Sequence, residues 1–193
     1  MKRLPLLLIV FGLLGLVFVG CKEDDEETKA IIKWRDQNNQ WLSEQQARKN
    51  ADGTPYYNML VPKWDPSSFV LIHYFNERTT DPNALTPLYT STVDVRYHLA
   101  LYNGVACDSS TNINIYGPGV YRAQLTSLID GWAVAVGNMN VGDTAEVIIP
   151  YALGYGTTTS NSIPAYSNLK FNIRLVDIYK YEASPETSTD TGE

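Results

Sequence analysis

The sequence predicts an α+β fold, in which an antiparallel sheet curves over one short helix and a further helix is added at the N-terminus. Three observations predict it. Val93, Val95, Tyr97, Leu99 and Leu101 alternate with Asp94, Arg96, His98 and Ala100, so one face of a strand enters a core and the other is wetter. Leu169, Phe171, Ile173 and Leu175 repeat that period of two near the C-terminus. Between these strands, Trp132, Val136 and Met139 stand at i, i+4 and i+7, on one face of a short helix spanning Ser127 to Asn138.

The first 20 residues are set aside before the fold is read. Lys2 and Arg3 precede an apolar run from Leu6 to Val19, broken only by Gly12 and Gly15 and too short to span a bilayer comfortably. Gly20 and Cys21 follow, so residues 1–20 read as a secretory signal. Val17-Phe18-Val19-Gly20-Cys21 resembles a bacterial lipobox, with Phe18 where that pattern usually has Leu. The resemblance implies acylation of Cys21 and a membrane anchor, because several acyl chains hold a protein stably where one does not. The run Lys22-Glu23-Asp24-Asp25-Glu26-Glu27 resembles the export signal behind the lipidated cysteine in surface lipoproteins of Bacteroidetes. An outer-membrane lipoprotein is the expectation, at the cell surface or on the periplasmic face. A solvated spacer is the plainer reading of the same charges.

Glu26 to about Lys49 reads as a helix, with Ile31, Trp34, Trp41 and Leu42 on one side. The stripe is expected to pack on the following domain; a recognition surface built on the two tryptophans is the alternative. Asn50-Ala51-Asp52-Gly53-Thr54-Pro55 ends the helix. Spacer, helix and connector together fill residues 21–66, and the main domain fills 67–182. Within it, Phe69 to Phe75 is a strand candidate, Tyr102-Asn103-Gly104-Val105 a turn, and Gly117-Pro118-Gly119 a loop. Asn140-Val141-Gly142-Asp143 turns the chain into a strand from Thr144 to Pro150. Residues 183–193 have no large apolar side chain and are expected to be disordered.

Charge and composition exclude several classes. Without Lys2 and Arg3, 13 basic residues face 21 acidic ones, a net charge of about −8, which disfavours nucleic acid as a partner. With Cys21 lipidated, Cys107 has no partner for a disulfide. His73 and His98 lack a second ligand at metal-like spacing, so no zinc site and no cofactor is expected. A monomer is expected.

Three blocks in order carry a family resemblance. Val95-Arg96-Tyr97-His98-Leu99 runs on through Asn103-Gly104-Val105-Ala106-Cys107-Asp108-Ser109-Ser110. Leu128-Ile129-Asp130-Gly131-Trp132 is followed by Met139-Asn140-Val141-Gly142-Asp143. Ile148-Ile149-Pro150-Tyr151-Ala152-Leu153-Gly154-Tyr155-Gly156 is followed by Ile163-Pro164 and Asn168-Leu169-Lys170-Phe171. Over about residues 68 to 181 the chain resembles the FKBP-type peptidyl-prolyl cis–trans isomerases. The resemblance implies an FKBP-like sheet and a pocket for proline-containing polypeptides. Trp132 would floor the pocket; Tyr97, Ile129 and Phe171 would line it, with Ile163 at the rim. The Ile129 N–H and the Tyr155 hydroxyl would donate to substrate carbonyls, and Asp108 would sit beside the twisting amide. Each of these side chains is also consistent with ordinary core or turn positions.

Two departures from the family pattern stand out. Cys107 occupies the place of a Phe that presses on the proline, and residues 111–120 do not align. Tyr116 or Tyr121 is a candidate to replace an aromatic of that loop, and Arg122 a candidate partner for Asp108. The implied function is prolyl isomerisation that assists folding of exported proteins. A non-catalytic FKBP-like module holding proline-containing segments is the alternative, and a structural lipoprotein docking through its Trp-bearing helix is a third.

Overall fold

The computed structural model describes residues 21–81 and 83–179. The signal segment, the tail and the side chain of Cys21 lie outside the described residues. Helix α1 covers Cys21–Ala47, starting earlier than the expected Glu26 and ending slightly before Lys49. Asp25, Glu26 and Glu27 stand near its start, where the helix dipole favours negative charge. Two compact units, Met1–Lys33 and Trp34–Glu193, divide the chain within this helix. In the first, residues 21–33 are helical and carry an exposed Lys29–Glu26 pair at 2.8 Å.

The second unit contains a sheet of seven strands among the described residues. These are β1 Asn58–Leu60, β2 Val70–Tyr74, β3 Thr92–Leu101, β4 Ala106–Ser109, β5 Tyr121–Gln124, β6 Thr144–Ile149 and β7 Leu169–Ile178. Every pairing is antiparallel, in the order β1-β2-β6-β7-β3-β4, and β5 joins β3 beside β4. The sheet therefore reaches back to Asn58, inside the stretch read as connector.

Helix α2 spans Asp130–Val136 and is shorter than the periodicity suggests. Leu125–Ser127 forms a 3-10 turn, and Leu128 and Ile129 are extended, at φ −103° and −61°. Trp132, Val136 and Met139 are all buried, as their spacing predicts. They share a core with Val93, Val95 and Leu99 of β3 and Phe171, Ile173 and Leu175 of β7.

The part of α1 that lies in the second unit is locked to the loop between β6 and β7. Trp34 and Trp41 pack on the apolar clusters, as expected of the stripe. Asn38, fully buried between them, accepts the Asn168 N–H through Oδ1 at 2.8 Å. The Asn168 side-chain amide donates to the Asn38 carbonyl at 2.7 Å, and Asn168 Oδ1 accepts the Tyr151 N–H at 2.9 Å. Trp34 Nε1 donates to Ser167 Oγ at 3.1 Å, and that hydroxyl donates to the Pro164 carbonyl at 2.7 Å. Asn38→Leu orphans the Asn168 N–H, and a buried donor left unsatisfied costs about 1–3 kcal/mol. Thermal melting should fall by several degrees, at about 2–4 °C per kcal/mol for a chain of this size. An unchanged midpoint would show that this bond contributes nothing.

Candidate functional site

Between the concave face of the sheet and the start of α2 lies a cavity of about 220 Å³. Its floor and walls are aromatic because β3, β7 and α2 each direct one ring into the same space. Trp132 meets Phe171 at 5.3 Å and 87° and Tyr97 at 5.4 Å and 88°. Tyr97 also meets Phe171 at 6.2 Å and Tyr121 at 5.7 Å. Edge-to-face packing of this kind stabilises a rigid cluster. Trp132 and Phe171 are nearly inaccessible, whereas Tyr155, at 39% exposure, stands at the mouth. Leu99, Ser127 and Leu128 complete the lining beside Ile129 and Asp108.

The extended backbone of Leu128 and Ile129 explains why both face the cavity rather than the helix interior. Ile129 caps α2, and its N–H has no protein acceptor among the described residues. The Tyr155 hydroxyl likewise makes no hydrogen bond to the described residues, and burial raises its pKa, followed by the Asp108 charge. It remains a protonated donor at neutral pH. Tyr97 is different: its hydroxyl donates to Asp108 Oδ2 at 2.7 Å. Its pKa is raised by burial first and then by that carboxylate. Asp108 Oδ1 is also held by the Ser109 N–H at 2.8 Å, so the carboxylate is fixed at the rim. The loop bearing Tyr155 is closed by Gly156 N–H to Tyr151 O at 2.8 Å and by Tyr166 N–H to Gly156 O at 3.0 Å.

Six of the seven residues implied by the resemblance thus line one cavity: Tyr97, Asp108, Ile129, Trp132, Tyr155 and Phe171. Ile163 does not. It sits in a tight turn, bonded both ways to Ser160, and its side chain is buried in the main core at 6% exposure. Arg122 does not reach Asp108 either. It stands opposite Asp94 in the β3–β5 register and binds that carboxylate with two bonds of 2.6 and 2.7 Å. Its guanidinium lies 4.3 Å from the ring centroid of Tyr116, which does not line the cavity, whereas Tyr121 does.

Comparison with known proteins identifies the domain. The model of the family described as FKBP-type peptidyl-prolyl cis-trans isomerase matches residues 85–176. That stretch belongs to the FKBP family. FK506-binding protein 3 of Eremothecium gossypii is 35% identical over 86 residues, covering 45% of this chain and 20% of its own length. An Arabidopsis thaliana protein, peptidyl-prolyl cis-trans isomerase FKBP53, is 37% identical over 89 residues, covering 45% and 18%. The chain therefore spans about a fifth of the length of the curated relatives it matches. Among solved structures, a peptidyl-prolyl cis-trans isomerase of Pseudomonas syringae superposes with a TM-score of 0.61 at 23% identity, over 79% of this chain and 96% of that one. FkpA of Escherichia coli also gives 0.61, at 19% identity, over 80% and 65%. Both share the fold.

Within this FKBP domain, Cys107 packs on the core without lining the cavity, and its thiol lies 3.7 Å from the Val105 carbonyl. Burial, followed by the Asp108 charge, raises its pKa, so the sulfur stays a neutral thiol. Of the two tyrosines that the sequence offered for the loop aromatic, Tyr121 lines the cavity, and the choice between them depends on the β3–β5 register, which aligns Tyr121 with Val95.

Proposed function

We propose that this FKBP domain binds proline in the aromatic cavity and catalyses cis–trans isomerisation of the preceding peptide bond in exported polypeptides. One observation carries the reading: a small aromatic cavity floored by Trp132 has at its edge two donors without an acceptor among the described residues, the Ile129 N–H and the Tyr155 hydroxyl. About 220 Å³ is smaller than the roughly 300–1,000 Å³ of sites for drug-sized ligands and suits a single side chain.

An X-Pro amide resists rotation through resonance, yet its isomers are close in energy and exchange over tens of seconds or longer. Twisting breaks the resonance and makes the bond less polar, so an apolar cradle binds the twisted form better than the hydrated planar one. Donors that hold the flanking carbonyls in that geometry add to the preference, and each 1.36 kcal/mol of it is worth about tenfold in rate. Asp108, fixed by Tyr97, places a carboxylate beside the rotating group.

The test is isomerisation of an Ala-Leu-Pro-Phe type peptide by the chain lacking residues 1–21, with folding checked by circular dichroism. A folded protein without activity above background would sink the enzyme reading. Tyr155→Phe removes one donor and is expected to lower kcat/KM about tenfold with little change in melting. The non-catalytic reading is favoured by Cys107, where the family has a Phe. Cys107→Phe should raise activity several-fold; an unchanged rate would place that wall elsewhere.

The N-terminal sequence supports anchoring at Cys21 in the outer membrane. Loss of membrane association in Cys21→Ser is the expected result, and protease treatment of intact cells separates surface display from the periplasmic face.

A further inference from the structure

The outer face of the sheet carries a second, wider concavity of about 540 Å³, which shares only Tyr97 with the lining of the aromatic cavity. Arg96 and His98 of β3, Asn172 and Arg174 of β7 and Thr144 of β6 line it, and the loop around Gly119 forms a wall. Arg96 and Arg174 are direct cross-strand partners, and Arg174 is also opposite Thr144.

Like charges placed directly opposite one another destabilise a sheet. A neighbouring carboxylate would offset that cost, and this acidic chain has 21 to offer. None is used. No Asp or Glu among the described residues lies within 4.0 Å of either guanidinium. Glu146, on the same face, is engaged by the Tyr57 hydroxyl and by Lys170 at 3.9 Å, and Asp94 is taken by Arg122. The loop meanwhile runs alongside Arg96. Gly119, at φ +70°, comes so near that a Cβ there would lie 3.9 Å from Arg96 Nε. The result is an open, doubly positive spot beside that loop, with both arginines exposed, on a protein of net charge −6.

We propose that this concavity binds a phosphate- or sulfate-bearing molecule, its tetrahedral oxyanion held between the Arg96 and Arg174 guanidiniums. The planar forks of two arginines match such an oxyanion bidentately, and Thr144 and Asn172 add neutral donors. A bare ion needs far less than 540 Å³, so the space accommodates the organic group that bears the oxyanion. The repulsion between the arginines is relieved when the ligand is bound.

The test uses the full chain in zwitterionic detergent, titrated with inorganic phosphate, with glycerol phosphate, and with sodium chloride at matched ionic strength. NMR of the arginine Nε–H groups should show saturable shifts of Arg96 and Arg174 with both phosphates and none of comparable size with chloride. Arg96→Gln or Arg174→Gln should weaken binding about tenfold and abolish the thermal stabilisation that phosphate gives. Without phosphate, Arg174→Gln should melt no lower than wild type, because it removes the repulsion. Cosedimentation with vesicles containing phosphatidylglycerol, lost in the Arg96→Gln/Arg174→Gln double variant, would assign the oxyanion to a lipid headgroup. Binding of glycerol phosphate without that cosedimentation would assign it to a soluble phosphoester. Equal shifts with chloride and phosphate, or wild-type affinity in both single variants, would overturn the proposal.

Discussion

Replacing Trp132 with Ala should produce the largest loss of both stability and substrate affinity. The indole is 4% exposed and holds Tyr97 and Phe171 edge-on at 5.4 and 5.3 Å. Truncating a buried aromatic of this size costs about 3–5 kcal/mol, lost transfer energy and the unfilled hole together. At about 2–4 °C per kcal/mol, melting should fall by about 10 °C. The floor of the aromatic cavity disappears with the ring. On the proposed reading the indole would touch the pyrrolidine in both planar and twisted states, so its loss should remove uniform binding and appear mainly in KM. A rise in KM of about tenfold or more is expected, measured well below the melting temperature of the variant. Trp132→Phe keeps an apolar floor and should retain most of the affinity. Peptide kinetics for Trp132→Ala that match wild type, in a folded protein, would mean that proline binds elsewhere.

The strands of this domain are legible in the sequence because their signal is local. Val93 to Leu101 and Leu169 to Leu175 alternate along the chain, and burial follows that alternation closely along β7. The pocket residues were legible only through their order in the three family blocks, since Tyr97 or Phe171 alone reads as core. What escaped is set by partners distant in sequence. Arg122 pairs with Asp94 rather than Asp108 because the β3–β5 register puts them face to face, and no periodicity encodes register. Ile163 turns inward because Ser160 closes a tight turn around it. Asn38 offered a signal that the apolar stripe obscured. It lies at i+4 from Trp34 on the buried face of α1, and an amide in that position implies a buried hydrogen-bonding partner.

Gly131→Ala is the second change expected to have a large effect, and the argument is steric. A Cβ built on Gly131 would lie 2.2 Å from Ile149 Cγ2 and 2.9 Å from its Cγ1 and Cδ1. Ile149 is fully buried at the end of β6, so its side chain has no solvent to move into. Either α2 lifts from the sheet or Ile149 leaves its rotamer. Overpacking of a filled core costs about 1–3 kcal/mol and occasionally more, and a 2.2 Å approach belongs at the upper end. Helix propensity works the other way by about 1 kcal/mol, since Ala favours a helix over Gly, and is the smaller effect. Lifting α2 also carries Trp132 away from Tyr97 and Phe171, so affinity for a proline peptide should fall together with melting temperature. Ile149→Ala removes all three clashing atoms. Alone it opens a cavity and costs about 2–5 kcal/mol, but combined with Gly131→Ala the losses should be less than additive by about 1 kcal/mol or more. Additive losses in that double-mutant cycle, or a Gly131→Ala protein that melts with wild type, would show that α2 does not rest on β6 at this glycine.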